Sequence, residues 1–168
     1  MKKILSIIAI ISAMFATQSC DEELTYTIPA EFKLNMDINV DAMRSEQYPF
    51  AHTEVLNIAD DAEVAQHIED IKSLDVKEIE CSLAGIPEGA AIEELTITIA
   101  EVGLTVTLTD ITTDYTLILP VSDLLLDALS QYLLTNHQTT VVATGTSTYA
   151  PMTFRVKLNF HTDVEAPL

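Results

Sequence analysis

The chain has 168 residues, 26 acids against eight Lys and Arg, a net charge of −18, no Trp and two Cys. So acidic a surface repels nucleic-acid phosphates and anionic lipid headgroups, which excludes nucleic-acid binding. The length suits one domain with a core of its own, and two cysteines cannot make a disulfide scaffold.

Lys2 and Lys3 form a positive start, and Ile4 to Phe15 is an uncharged, mostly apolar run of twelve. A bilayer needs about 20 apolar residues, so this run is too short to span one and matches the apolar region of a secretory signal. Ser19 then stands directly before Cys20. The arrangement resembles a bacterial lipoprotein signal, which implies cleavage before Cys20 and a lipid on its sulfur. Thr17 and Gln18 depart from the usual Leu and small residue, as relaxed versions in Bacteroidota lipoproteins do. Asp21-Glu22-Glu23 resembles the short acidic tag that sends many of those lipoproteins to the cell surface. The expected organisation is a signal peptide over 1–19, a lipidated tether over 20–30 and a folded domain over 31–168. Cleavage removes Lys2 and Lys3 and no acid, leaving 149 residues with a net charge of −20.

Leu24 to Ile28 reads as a short strand that Pro29 ends. From Phe32 to Val40 apolar and polar residues alternate strictly: Phe32, Leu34, Met36, Ile38 and Val40 share one face. Such a period of two marks a half-buried strand with one wet face. A polar loop over Asp41–Gln47 leads to a second strand within Phe50–Ile58. Asp60-Asp61-Ala62-Glu63 has the form of a capping box, with Asp60 as cap. Val64, Ile68 and Ile71 follow at helical spacing, so a helix is expected, with His67 on its flank.

A third strand runs from Val76 to Ala84 and ends at the turn Gly85-Ile86-Pro87-Glu88-Gly89. Cys81 shares its apolar face with Ile79 and Leu83 and reads as a small buried hydrophobe. Glu94–Ala100 and Leu104–Ile111 form a hairpin across Glu101-Val102-Gly103. Thr96, Thr98, Thr105, Thr107 and Thr109 fill its wet face, because threonine is β-branched yet polar. Asp114–Leu119 is another strand, closed by Pro120. Ser122 caps a second helix that carries Asp123 in its first turn. Its leucine-rich arc is expected to lie across an open edge or end of the core. Thr139–Thr148 and then Met152–Val164 are the last strands, and the tail from Glu165 stops the chain's final strand.

Seven or eight short strands with wet polar faces predict a mainly β protein: a single antiparallel β-sandwich, immunoglobulin-like, with two short inserted helices. The signal with Cys20, the opening alternation and the ending Pro151-Met152-Thr153-Phe154-Arg155-Val156-Lys157-Leu158-Asn159-Phe160 resemble a group of uncharacterised Bacteroidota lipoproteins. The resemblance implies a β-sandwich at the outer membrane or cell surface and transfers no functional residues. The segment Leu119–Leu126 is also similar to part of the late-embryogenesis-abundant type 2 sandwich.

Motifs for nucleophilic catalysis and phosphate cradling are absent from the sequence, and His52, His67, His137 and His161 lack metal-ligand spacing. Glu78 and Glu80 share a strand face, and glycoside chemistry would need such a pair set across a cleft. Glu93-Glu94, or Asp110 with Asp114, offer oxygen ligands of the kind calcium takes. Sugar capture usually employs aromatic platforms, for which Tyr48 and Tyr149, beside Pro49 and Pro151, are the candidates. The threonine columns of the hairpin are also of a kind met in ice binding.

The sequence therefore predicts a non-enzymatic, lipid-anchored cell-envelope module with no metal and no cofactor. It is held on the outer membrane through Cys20, with an envelope protein or a glycan as partner, and the resemblance of Asp21-Glu22-Glu23 to an export tag implies exposure at the cell surface. A glycan-binding accessory lipoprotein of an outer-membrane uptake system is the first alternative. A hydrolase built from remote carboxylates is the second.

Overall fold

The two strict alternations become the two longest strands and pair with each other. The computed structural model describes residues 24–42 and 47–168. The signal segment 1–19, Cys20, Asp21-Glu22-Glu23 and residues 43–46 of the polar loop lie outside the described residues. β1 (Thr25–Val40) and β8 (Met152–Pro167) run antiparallel in unbroken register from Thr25 opposite Pro167 to Val40 opposite Met152. Phe32, Leu34, Met36, Ile38 and Val40 are all buried, against Phe154, Val156, Leu158 and Phe160 from β8.

Residues 25–30 of the expected tether lie in β1, which begins at Thr25. Pro29 does not end it: β1 is an edge strand, where a residue with no N–H to donate is tolerated on the open side. β8 likewise continues past Val164 through Glu165 and Ala166 to Pro167.

Between them lie β2 (Tyr48–Asn57), β3 (Ser73–Ala84), β4 (Ile92–Ile99), β5 (Leu104–Ile111), β6 (Tyr115–Ile118) and β7 (Gln138–Ser147). One sheet has the order β1-β8-β3-β6 and the other β2-β7-β4-β5, with every strand pair antiparallel. The protein is thus an antiparallel β-sandwich. Successive strands otherwise cross from sheet to sheet, and among the described residues β4–β5 is the one hairpin of sequence neighbours. This is the strand order of an eight-stranded jelly roll, not the immunoglobulin order expected from strand spacing. Alternation sets which face of a strand is buried; it says nothing about which strand lies beside it.

The inner faces meet through residues such as Phe50 and Phe154, whose rings stack edge to face with centroids 5.3 Å apart. Gly145 makes room for that contact. A Cβ there would sit 1.9 Å from the Glu94 carbonyl oxygen and 2.6 Å from the Phe50 ring.

The helix expected from Asp60 onward is replaced by two 3-10 turns, Ile58–Asp60 and Val64–His67. Asn57 caps the first by accepting from the Ala59 N–H at 3.0 Å. Asp61, not Asp60, serves the second, accepting from Glu63 N–H at 2.9 Å and Val64 N–H at 3.1 Å. A stripe of three apolar residues is too short to repay helix nucleation, and these local side-chain bonds offer the backbone an alternative.

The other helix, α1 (Asp123–Asn136), forms with Ser122 at its N-cap position. The capping there comes from the Ser122 carbonyl, which accepts from the Leu125 and Leu126 N–H groups at 2.9 and 3.1 Å, while its hydroxyl makes no cap bond. α1 lies where expected, on an open edge. β6 pairs only with Glu80–Leu83, leaving the first half of β3 uncovered on that side. There the buried Ser130 hydroxyl accepts from the Val76 N–H at 2.9 Å and donates to the Leu126 carbonyl at 2.8 Å. Leu126, Leu129 and Leu133 are buried beneath it.

Candidate functional site

The two outer faces of the sandwich differ in kind. On β1-β8-β3 the outward positions carry charge in matched pairs. Arg155 donates to both Asp37 carboxylate oxygens, at 2.7 and 3.2 Å. That pairing holds the Asp37 carboxyl below its ordinary range. Lys33 lies 3.1 Å from Glu31, and His161 3.7 Å from the same carboxylate. Lys77 bonds to Asp75 and lies 3.5 Å from Asp163. Beside it an open depression of about 420 Å³ is lined by Glu31, Lys77, His161 and Asp163 among others. All these partners are substantially exposed, so the pairs are worth little individually and serve to keep this face solvated.

On β2-β7-β4-β5 the outward positions are nearly free of charge. The registers align Ala51, Thr144, Thr96 and Thr107 in one row and Thr53, Val142, Thr98 and Thr105 in the next. Val55 lies opposite Thr140 beyond them, and Pro49, Thr146, Glu94 and Thr109 form the row on the other side. The Thr96 and Thr107 hydroxyls meet at 3.0 Å across the strands. Glu94 is the one carboxylate in these rows. The hairpin threonines were legible in the sequence, but Thr140, Val142, Thr144 and Thr146 of β7 were not seen as their continuation. The same alternation of threonine was present there; what was missing was that β7 lies beside β4.

Tyr48 and Tyr149 lie at one end of the sandwich. Tyr48 pairs with Ser147, and the Ser147 hydroxyl accepts from the Tyr149 N–H at 3.1 Å. Tyr48 alternates with the outward Pro49, so it is half-buried against the core, while Tyr149 is 44% exposed.

The other candidates stay apart. Cys81 is buried, and loss of hydration first, then the negative charge of Glu80, push its thiol up to about 12. It is a neutral thiol packed in the core. His67 bonds to the Tyr26 hydroxyl at 2.8 Å, His52 lies 3.5 Å from Glu54, and His137 is the left-handed residue that ends α1. Glu78 and Glu80 lie on the open charged face, opposite His161 and Asn159. Glu93 and Glu94 stand together at a bulge in β4, between the buried Ile92 and Leu95, and one Glu93 carboxylate oxygen is buried with no hydrogen-bond partner.

Asp114 has both oxygens engaged, accepting from Gly85 N–H at 3.1 Å and Ile86 N–H at 2.9 Å. Those two bonds hold its carboxyl below the ordinary range. Its role is to clamp the β3–β4 turn. Among the described residues no three His, Cys, Asp or Glu side chains come together as a metal site.

No protein-family model matches the chain, and no curated protein matches it. Among solved structures it is similar to a turnip yellow mosaic virus chain, at 10% identity and a TM-score of 0.42, over 88% of this chain and 96% of that one. It is also similar to a Desmodium yellow mottle tymovirus chain, at 10% identity and a TM-score of 0.34, over 84% and 90%. A third likeness is to the infectious bursal disease virus VP2 subviral particle, at 14% identity and a TM-score of 0.28, over 88% of this chain and 38% of that one.

Proposed function

We propose that this protein is a lipid-anchored, non-enzymatic lipoprotein of the cell envelope, fixed to the outer membrane through Cys20. It works as a binding or structural module through the outer face of β2-β7-β4-β5. The observation that carries this reading is the segregation of charge. In a chain of net charge −18, the two middle rows of one sheet face carry no charge, with Glu94 and Glu101 at the ends of that face, while ion pairs lie on the other. A solvated surface has no need of such a division, whereas a face that must shed water against a partner does, because an unpaired carboxylate is costly to desolvate.

The anchor reading rests on Lys2-Lys3, the apolar run and Ser19-Cys20. It is supported by the start of β1 at Thr25, which leaves about 17 Å of extended chain at most between Cys20 and the sandwich. A domain so closely tied would sit near the lipid surface. Cys20→Ala should abolish labelling by a lipid precursor and move the protein from the membrane to the soluble fraction. A variant that stays in the membrane fraction would refute the anchor.

The exposed Tyr149, near the end of the threonine-rich face, favours glycan binding as a second reading. An exposed tyrosine ring beside hydroxyls could hold a neutral sugar by ring contact and hydrogen bonds. On a glycan array, saturable binding that weakens at least about ten-fold in Tyr149→Ala, some 1.4 kcal/mol, would support it. Binding unchanged by Tyr48→Ala and Tyr149→Ala would sink it.

A further inference from the structure

The inner face of the β1–β8 pair runs on past the end of the core. Its last register pair is Thr25 opposite Pro167, and one step further the Leu168 N–H donates to the Leu24 carbonyl at 2.9 Å. By the period of two, Leu24 continues the row of Ile28 and Ala30, and Leu168 continues that of Val164 and Ala166. Those four residues are buried, whereas Leu24 is 70% exposed and Leu168 81%. The other large exposed apolar side chains among the described residues, Val55, Ile118, Leu124 and Tyr149, belong to four other segments. Leu24 and Leu168 thus form an apolar pair at one end of the sandwich, and Tyr149 lies near the other end, where Met152 pairs with Val40.

We propose that Leu24 and Leu168 rest in the interface of the membrane that carries the anchor, so that the sandwich stands with this end on the lipid. The inference rests on the lipidation of Cys20. What selects lipid as the occupant is distance along the chain. Leu24 follows Cys20 by four residues, about 14 Å of extended chain at most. Acyl chains on Cys20 therefore hold both leucines within reach of hydrocarbon, where an apolar side chain is better placed than in water. Charge sets the kind of lipid. Asp21, Glu22 and Glu23 stand between Cys20 and Leu24 in the chain, and the whole chain carries −18, so the surface that fits is zwitterionic and not anionic. This stance leaves the outer faces of both sheets and the Tyr149 end open to partners.

The chain has no Trp, so Leu168→Trp gives the lipidated full chain a single fluorescent reporter. In phosphatidylcholine vesicles its emission should shift to the blue, and brominated acyl chains should quench most of it. Leu24→Trp should behave alike, while Thr107→Trp, on the outer face of β5, should be untouched by bromine. Replacing part of the phosphatidylcholine with phosphatidylglycerol should weaken the quenching, and added salt should restore it, because salt screens the repulsion. Lipid label is measured on the same samples. A labelled, vesicle-bound protein whose reporter stays in water at both positions overturns the docking and leaves the anchor standing. A blue shift without bromine quenching also overturns it, since that is what contact with a second copy or another part of the chain would give. Protein that carries no lipid label refutes the anchor and this proposal with it.

Discussion

Asp114 shows how much of this protein depends on individual polar residues used for structure. Its carboxylate accepts two backbone N–H bonds from the turn that links β3 to β4, where Gly85 adopts a φ of 87°. Because those bonds favour the charged form, its folded pKa lies below the unfolded one, near 3.9. Its contribution to stability is present above the unfolded value and is lost as pH falls through the folded value. Asp114→Asn, which leaves one acceptor oxygen and no charge, should lower the melting temperature at pH near 7. The gap from the native protein should close on acidification below the ordinary carboxylate range. A gap that stayed constant down to low pH would show that the charge is not involved. In the sequence Asp114 reads as a solvated acid beside a turn; in the structure the turn's own N–H groups are what it binds. Gly145 was illegible for a related reason: the Cβ it lacks would collide with a neighbour about fifty positions away in sequence, on β4.

At the scale of elements, apolar period was a sound guide to strands and a poor one to the short segment after β2. Strands need alternation only, and β1 and β8 supply it over their whole length. The 3-10 turns at Ile58–Asp60 and Val64–His67 arise because a connection between sheets is held by Asn57 and Asp61, and local side-chain bonds outweigh a short stripe. The placement of α1 was legible from its leucines, but the residue that docks it was not. Ser130 reads as an ordinary polar position in a helix, yet it answers the Val76 N–H on the open edge of β3. Ser130→Ala leaves that buried donor unpaired and should cost about 1–3 kcal/mol in urea unfolding. A cost within about 0.5 kcal/mol, the range of an ordinary surface substitution, would show that water or a strand shift replaces the bond.

For the molecule as a whole, the net charge was plain from composition, and its distribution was not. Four bases, Lys33, Lys77, Arg155 and Lys157, occupy β1, β3 and β8, so the few cations are concentrated on one sheet. The face of the other sheet is assembled from strands 2, 7, 4 and 5, which are scattered over a hundred residues of chain. Neither its neutrality nor its continuity is visible in any one of them.

What the amino-acid sequence determined alone was local. It set the β class, the buried face of each long strand, the inert position of Cys81, the strong negative charge and the signal-like segment before Cys20. Each follows from composition or from a repeat of two or a few residues, and needs no distant partner. The tertiary structure decided the rest: jelly-roll order in place of immunoglobulin order, the alignment of threonines from β7, β4 and β5 on one face, and the docking of α1 on the open edge of β3. These depend on which strands lie side by side. Pairing between strands far apart in sequence is governed by the fit of whole faces and edges, which no local pattern encodes.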